Sequence, residues 1–389
     1  MRNRSFILQA SMAILFVAGA TAPTPLYAVY QRMWGFSPAM LTLVFAVYAL
    51  AVLVALLVLG RLSDHVGRKP VLYGAALGQL AAMAMFAGAD GVGTLLAARV
   101  VQGLATGAGI AAAGAGLLDL DRGRGTAVNA VAPMLGTAAG TLVAGLMAQF
   151  LPAPTLLVYL LFAAVFVVQA ALLAAVPETV TPRPGAWASL RPSFALPAAV
   201  RKPMLVALPG LVAAWAMPGF YASLGPALVN HLLGRSSPAL GGLALTVMAS
   251  AGALAVVWAR GRDARAVMAG GTAALMGGVA ITLLAAVQGL VAPFFLGAIV
   301  AGAGFGATFH GAVHTIVPRA EAHERAGVLS VVYVVAYMAM GVPAILGGLR
   351  VTHGGGLLGT MVEFGVAVMV LAALALWGSR APRVASVSF

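Results

Sequence analysis

The sequence alternates long apolar runs with short polar segments along its whole length. Each run holds about 20 residues, which is the length an α-helix needs to cross the hydrocarbon core of a bilayer. The pattern therefore predicts an all-α integral membrane protein with twelve spanning helices. The predicted spans are residues 6–28, 38–59, 70–89, 94–117, 126–150, 155–176, 204–228, 238–258, 266–287, 293–316, 327–349 and 356–377.

Composition agrees with this pattern. Of the 389 residues, 62% are hydrophobic, and only 22 basic plus 9 acidic residues carry charge, too few to coat a large soluble domain. The chain has no cysteine, which removes disulfides and thiolate metal sites. The net charge of +13 does not indicate nucleic-acid binding, because the basic residues are dispersed between apolar runs.

The basic residues divide unequally between the two sides of the predicted bundle. With a cytoplasmic N-terminus, 18 of the 22 lie in cytoplasmic segments and Arg99 alone lies within a span. The positive-inside rule therefore predicts two cytoplasmic termini. Only two basic residues are lysines, a bias typical of a GC-rich bacterial genome, so we expect a multi-pass protein of a bacterial inner membrane. The outside loops hold Arg32, Arg235 and Arg350, and the inside residues include Arg380 and Arg383 near the C-terminus.

The two halves of the chain repeat each other in the same orientation. Ser37-Pro38-Ala39 opens the second predicted span and Ser237-Pro238-Ala239 opens the eighth, and Gly140 in the fifth span answers Gly341 in the eleventh. We therefore expect a six-helix half over residues 1–176, a proline-rich cytoplasmic linker over 177–203, and a second six-helix half over 204–389.

The first span has a second interpretation. Arg2 and Arg4 precede an apolar run that ends in Ala18-Gly19-Ala20, a pattern typical of a cleaved signal peptide. Cleavage would remove a helix whose counterpart is retained in the second half.

The loop after the second span resembles a known signature. Residues 60–69 read Gly-Arg-Leu-Ser-Asp-His-Val-Gly-Arg-Lys, which is similar to the Gly-x-Leu-Ala-Asp-x-x-Gly-Arg-Arg/Lys loop of the major facilitator superfamily. Glycines permit tight turning here, and an aspartate can face the positive N-terminus of a helix. The second half keeps only a degraded trace of the pattern, Arg260-Gly261-Arg262-Asp263-Ala264-Arg265.

The resemblance implies the major facilitator fold and a gating role for this loop. It implies that Asp64 faces helix eleven, which begins near Gly327, and that Arg68 pairs with an acid at the end of helix four. The gating residues that the resemblance indicates are Gly60, Asp64, Gly67, Arg68, Lys69, Asp119 and Asp121.

Span four resembles a second family pattern, in which an Arg is followed three residues later by Gln-Gly and which is associated with proton-coupled members. Here it is Arg99, Gln102 and Gly103. Because a charge within hydrocarbon is costly, Arg99 is a functional candidate. The alternative is that Arg99 reaches the outer interface or meets Asp90.

Span five resembles a third pattern, which marks exporters of the family. Gly136, Gly140 and Gly145 are in place, whereas Thr141 replaces the usual proline and Ala144 one glycine. The alternative is that these small residues only let helices pack closely.

The other polar residues within spans are few. Glu363 and His310 are further candidates for proton coupling, and His314 stands one turn from His310. We expect no metal, since no third ligand is evident for the histidine pair, and no cofactor. The resemblance places a substrate cavity among helices one, four, seven and ten, with Tyr27, Gln102, Trp215, Tyr221, Phe305 and Phe309 as candidates.

These observations predict a secondary transporter working by alternating access, similar to the twelve-helix drug:proton antiporters and exporting a lipophilic or cationic compound against protons. Proton-coupled or facilitated transport of a sugar or other small metabolite is the alternative, since span one lacks the acid common in antiporters. A non-transporting receptor or scaffold is a further alternative. An enzyme is not expected, because nine acids leave little catalytic material. The expected partners are a small-molecule substrate, protons and lipid, and the protein is expected to be a monomer.

Overall fold

A computed structural model describes residues 2–379 of the chain, so the predicted cytoplasmic residues Arg380 and Arg383 lie outside the described residues. Within that range, twelve helices are long and apolar enough to cross a membrane. The prediction of an all-α membrane fold with twelve spans is confirmed. The spans are α1 Arg2–Trp34, α2 Pro38–Leu59, α3 Arg68–Ala87, α4 Val92–Leu120, α5 Arg122–Phe150, α6 Pro154–Ala174, α7 Ala198–Ser223, α8 Pro238–Ala259, α9 Ala264–Val287, α10 Val291–Arg319, α11 Arg325–Gly355 and α12 Leu357–Ser379.

Three shorter helices lie in the connections, at Ser63–Val66, Ala186–Ser189 and Gly225–Leu233. We call the side of the bundle that carries Arg2 and the loop 60–69 the motif face. The opposite side, which carries Arg32, Ser237 and Arg350, is the distal face.

The repeated helix starts have the same local cause. The Ser37 side chain accepts a hydrogen bond from the backbone N–H of Met40 at 3.2 Å, and Ser237 accepts one from Leu240 at 3.4 Å. Pro38 and Pro238 occupy the first helical position, where the missing N–H costs no helical bond. These caps fix the distal ends of α2 and α8.

The two halves pack in the same way. In the first half α4 contacts α1, α2 and α3, while α1 also packs against α5 and α3 against α6. The second half repeats each pair, with α10 against α7, α8 and α9, α7 against α11, and α9 against α12. The six-helix unit is thus a repeated structure, and the two six-helix halves in the same orientation are confirmed.

The halves meet along two symmetrically related seams, α5 with α8 and α2 with α11. Glycines bring the backbones together there: a Cβ on Gly242 of α8 would lie 2.8 Å from the carbonyl oxygen of Thr141, and one on Gly348 of α11 would lie 2.9 Å from that of Pro38. Seam hydrogen bonds join Arg32 to Ser236 at 2.5 Å and Gln149 to Ser237 at 3.1 Å. These contacts join the two halves toward the distal face.

Two of the differences between predicted and observed helix ends have a clear local cause. The first span bends at a 3₁₀ turn over Thr24–Leu26 before it continues to Trp34, because prolines at 23 and 25 cannot donate backbone bonds. Helix α7 begins at Ala198 rather than 204, with Pro203 inside it. Val200 and Met204 are buried in one hydrophobic cluster with Val328 of α11, so packing extends α7 into the predicted linker.

Candidate functional site

The loop at the motif face is held by a buried arginine. Arg68 is 6% exposed and donates hydrogen bonds to Ser63 Oγ at 2.8 Å, to Asp119 Oδ2 at 2.9 Å and to Asp64 Oδ1. The guanidinium thereby joins the loop to the end of α4. Two carboxylates, those of Asp64 and Asp119, pair with the single guanidinium of Arg68. The cluster therefore has a negative formal charge.

The other predicted members of the loop have separate positions. Asp121 caps α5 by accepting from the backbone N–H of Arg124 at 2.9 Å and does not pair with Arg68. Within residues 2–379, no hydrogen bond joins Asp64 to α11. The N-terminus of α11 packs instead on the linker, where a Cβ on Gly327 would lie 2.7 Å from that of Ala195. With the halves joined at the distal face, the expected contact between Asp64 and α11 is not made in this conformation.

Sequence reasoning missed Glu178, which caps the same loop. Its carboxylate accepts hydrogen bonds from the backbone N–H groups of Arg68 and Lys69, both at 2.9 Å, at the positive N-terminus of α3. Gly67 has a φ of +99°, and a Cβ there would lie 2.7 Å from Glu178 Oε2. Glycine is therefore required at 67 both for its backbone conformation and for the approach of Glu178.

Several backbone donors determine the protonation of Glu178. Partial burial acts to raise its pKa, but hydrogen bonds from the backbone N–H groups of Lys69, Arg68, Thr179 and Val180 outweigh it and hold the pKa below the ordinary value of 4.5. Glu178 is therefore ionised at neutral pH. The sequence did contain a signal for this role. Glu178 is an acidic residue directly after span six, and an acid can bind the positive N-terminus of a helix.

The linker is attached to the loop by the backbone of His65. The carbonyl oxygen of His65 accepts from the N–H of Arg183 at 2.9 Å, and its Nδ1 lies 3.0 Å from the carbonyl oxygen of Pro184. Lys69 Nζ donates to the carbonyl oxygen of Val176 at 2.7 Å. Gly60, the first glycine of the signature, caps the end of α2.

Arg99 lies in the interior of the first half and is 1% exposed. One terminal nitrogen donates to the carbonyl oxygen of Ala20 at 2.7 Å and to Gln102 Oε1 at 2.6 Å, and the other donates to the Tyr27 hydroxyl. Gln102 in turn donates to the carbonyl oxygen of Gly19 at 3.0 Å. Arg99 therefore joins α4 to the bend of α1.

Aromatic rings complete this site. The guanidinium carbon of Arg99 lies 5.1 Å from the ring centroid of Tyr48, 5.3 Å from that of Tyr27 and 5.6 Å from that of Phe86, which are cation–π distances. Its Nε is buried without a hydrogen-bond partner. Among the described residues no carboxylate pairs with Arg99, so the buried charge is held by neutral oxygens and rings alone.

The structure does not show the alternative given for Arg99. Arg99 does not reach the interface, since it is fully buried, and Asp90 bonds instead to Thr94 at 2.7 Å. Glu363, the other acidic candidate for proton coupling, has a side chain that is 53% exposed and pairs with Arg350 at 2.8 Å near the distal face. Arg350 is the last residue of the regular α-helical part of α11.

The second half contributes an aromatic cluster. The ring of Trp215 on α7 lies 5.2 Å from Phe309 and 5.7 Å from Phe305, both on α10, and 5.5 Å from Tyr337 on α11. Trp215 Nε1 is buried without a hydrogen-bond partner. Tyr337 also packs against the group formed by Ala20, Tyr48 and Val52 in the first half. Aromatic contacts thus connect the surroundings of Arg99 with Trp215 across the two halves.

Tyr221 lies elsewhere. Its hydroxyl is 3.4 Å from Thr282 Oγ1 on α9, its ring packs against Phe294 on α10, and it is 0% exposed. Tyr221 therefore does not belong to the aromatic cluster around Trp215.

The two intramembrane histidines lie one turn apart on α10. Their ring centroids are 4.0 Å apart, and His314 Nδ1 lies 2.9 Å from the carbonyl oxygen of His310. His310 is half-buried and follows Phe309 directly. Within the described residues no group of three metal-ligating side chains is found.

The glycines of α5 serve close packing on both halves. A Cβ on Gly136 would lie 2.3 Å from the carbonyl oxygen of Ile14, and one on Gly140 would lie 2.1 Å from that of Ala18. A Cβ on Gly145 would lie 3.2 Å from the carbonyl oxygen of Pro238 on α8. Thr141, which replaces the proline of the exporter pattern, forms a hydrogen bond across the seam. Its hydroxyl lies 2.8 Å from that of Thr246.

Twelve spanning helices in two repeated halves, joined toward the distal face and with buried polar sites inside, define a membrane transporter. The chain belongs to the Major Facilitator Superfamily, whose sequence model matches residues 10–285. The family makes the protein a transporter of a small-molecule substrate and not an enzyme.

Among solved structures, a mutant of the nucleoside transporter NupG has a similar fold, with a TM-score of 0.74 over 96% of this chain and 99% of that one. Its sequence is 13% identical, so the likeness concerns the fold. No curated protein matches the chain.

Proposed function

We propose that the protein exports lipophilic small molecules in exchange for protons across a bacterial inner membrane. The motif face is cytoplasmic in this proposal, because within residues 2–379 it carries 16 basic residues against three at the distal face. The protein works as a monomer.

The observation that carries the substrate class is the aromatic cluster of Trp215, Phe305, Phe309 and Tyr337. Trp215 and Phe309 are half-buried and lie where α7, α10 and α11 meet, and Tyr337 extends the cluster to the first half. Rings with few polar groups suit an apolar ligand.

The charge of Arg99 favours lipophilic over cationic substrates. Since Glu363 is paired with Arg350 near the distal face, it does not offset the buried guanidinium. A cation entering beside Arg99 would meet a like charge in a medium that screens it poorly. Neutral or weakly acidic compounds meet no such cost.

Proton movement is assigned to His310, with Arg99 in a supporting role. An arginine stays protonated and cannot carry the proton itself. An imidazole can bind and release a proton, and His310 lies on α10 beside Phe309 of the cluster. The His314 ring lies 4.0 Å from the His310 ring.

The proposed alternation between two transport states rests on the two seams between the halves. We propose that residues 1–176 and 204–389 move as two bodies, joined by residues 177–203, and that the structure represents the state closed at the distal face. In the opposite state Asp64 would approach the N-terminus of α11, and the negative formal charge of the Arg68 cluster would favour that contact.

Uptake of a sugar or other small metabolite is the second candidate. It is favoured by the absence of an acid from α1 and by the exposed, paired position of Glu363, since both remove carboxylates typical of proton antiport.

The test is a substrate panel on inverted membrane vesicles with an internal pH probe. The panel pairs neutral, acidic and cationic compounds of similar size, and empty vesicles serve as the background. Accumulation of neutral or acidic lipophilic compounds with alkalinisation of the lumen is expected, and Trp215→Ala should abolish it while Tyr221→Phe does not. Transport of sugars alone would replace the proposal by its alternative.

Reporters test the orientation separately. Fusions after Lys69 and Lys202 should report cytoplasm and one after Arg235 the outside. An external signal at Lys202 would contradict the six-plus-six arrangement.

A further inference from the structure

The outer surface of the second half carries a groove between α8 and α9, with α10 as its floor. Its volume is about 710 Å³, within the range of about 300–1,000 Å³ typical of ligand sites. Most of the lining is small or apolar, as at Leu254, Gly270 and Ala303, and two charged residues, Arg262 and Asp263, line one end.

The length of the groove fits within one leaflet of a membrane. On α8 it runs from Ala251 to Trp258, which is about 11 Å at 1.5 Å per residue, and Arg262 in the following loop extends it toward the motif face. The hydrocarbon core of a bilayer is about 30 Å thick, so one leaflet contributes about half. Leu254 is 70% exposed and Trp258 is 58% exposed, so the groove faces the bilayer.

The end of the groove at the motif face is polar and positive. The guanidinium carbon of Arg262 lies 3.8 Å from the ring centroid of Trp258, and its Nε donates to the Trp258 carbonyl oxygen at 2.9 Å. No protein hydrogen bond within residues 2–379 uses its two terminal nitrogens. Tryptophan and arginine at this depth are typical of the headgroup region.

The neighbouring charges also favour an anion. In the sequence Arg260 and Arg265 flank Arg262, so this loop carries three arginines and one acid. The acid, Asp263, also lines the groove, but its carboxylate caps α9 by accepting from the N–H of Ala266 at 2.8 Å.

We infer that the groove binds one anionic phospholipid, with an acyl chain between α8 and α9 and the phosphate on Arg262 beside Trp258. The site is independent of the substrate and of the direction of transport. It gives a role to the degraded signature loop at 260–265, which lacks the buried network of Arg68.

Two glycines of α9 provide a matched test. A Cβ on Gly270, which lines the groove, has no atom within 4 Å, and the same holds for Gly277, which does not line it. Gly270→Leu should therefore fill the groove without a clash, while Gly277→Leu adds the same side chain elsewhere on the helix.

Native mass spectrometry of the purified protein would measure binding of phosphatidylglycerol and of phosphatidylcholine with the same acyl chains. We expect one tight phosphatidylglycerol, bound about fivefold more weakly by Arg262→Gln. Gly270→Leu should lower the affinity at least as much, and Gly277→Leu should leave it unchanged. Equal affinities for the two lipids, or no difference between the two glycine variants, would overturn the inference.

A second measurement uses the wild-type side chains. Phosphatidylglycerol with brominated acyl chains should quench the fluorescence of Trp258, seen as the difference between the wild-type protein and Trp258→Phe. An unquenched Trp258 would overturn the inference. So would a concentration-dependent dimer that Gly270→Leu abolishes, because the groove would then hold a second copy of the chain.

Discussion

Replacement of Arg99 by lysine separates a geometric role from a simple need for positive charge. Two nitrogens of Arg99 serve three acceptors, the carbonyl oxygen of Ala20, Gln102 Oε1 and the Tyr27 hydroxyl. A lysine ammonium is a single point and lacks the planar fork that reaches acceptors on both α1 and α4. Arg99→Lys therefore keeps the charge and loses part of the network.

The magnitude follows from the lost bonds. Hydrogen bonds to charged groups contribute about 1.5–3 kcal/mol each, so the loss of one or two costs about 3 kcal/mol. If the bonds form in one transport state only, the gradient-driven rate should fall by roughly 100-fold, since 1.4 kcal/mol is a factor of about ten. Tyr27→Phe removes one acceptor and should reduce the rate about tenfold.

The assay is transport in proteoliposomes with and without an imposed pH gradient, on protein whose folding is verified by thermal unfolding. Gradient-driven transport should fall far more than exchange at equal pH. A wild-type rate and an unaltered pH profile in Arg99→Lys would refute the reasoning and leave Arg99 as a buried structural charge.

Three further outcomes are expected. Asp64→Asn removes one carboxylate from the Arg68 cluster, so transport in proteoliposomes should fall while expression is kept; wild-type turnover would mean that the loop is only a connector. Glu178→Gln should lower stability by about 1 kcal/mol at pH 7, measured by thermal unfolding. Because the pKa of Glu178 is lowered, its stabilisation is complete above pH 4.5 and is lost as the pH falls through that lowered pKa, where variant and wild type should converge; a pH-independent difference would contradict this assignment. Thr141→Val and Thr246→Val should each weaken the distal closure by about 1 kcal/mol and show non-additive effects in a double-mutant cycle, measured by spin-label distances across the distal face; full additivity would show that the hydroxyls do not interact.

Much of the fold could be predicted from the sequence, because apolar runs of spanning length and repeated Ser-Pro helix starts are local signals. The start of α7 could not be, since Pro203 looks like a helix boundary and only the burial of Val200 and Met204 extends the helix past it. The course of the linker depends on tertiary bonds in the same way, as in the contact of Arg183 with His65.

The candidate site was predicted in part. The pattern around Arg99 identified Gln102, but the Tyr27 hydroxyl and the rings of Tyr48 and Phe86 come from other helices. Glu363 was misplaced because depth along a helix does not tell whether its side chain faces the interior or the periphery. Pairing across a bundle is set by helix rotation, which a single sequence does not specify.

Alternating access through the distal seam can be tested by locking it. A Cβ on Gly341 of α11 would lie 3.9 Å from that of Ala46 on α2, within the about 3.5–4.5 Å of a disulfide, and the chain has no other cysteine to interfere. The control pair is Gly210→Cys with Ala375→Cys, whose Cβ atoms would lie 3.3 Å apart. It joins α7 and α12 within one half.

The deciding measurement is transport by the Ala46→Cys and Gly341→Cys protein, before and after oxidation, with the substrate found in the vesicle panel. We predict that oxidation abolishes transport, that reduction restores it, and that the control pair transports in both states. Undiminished transport by protein whose cross-link is verified by mass spectrometry would contradict the account.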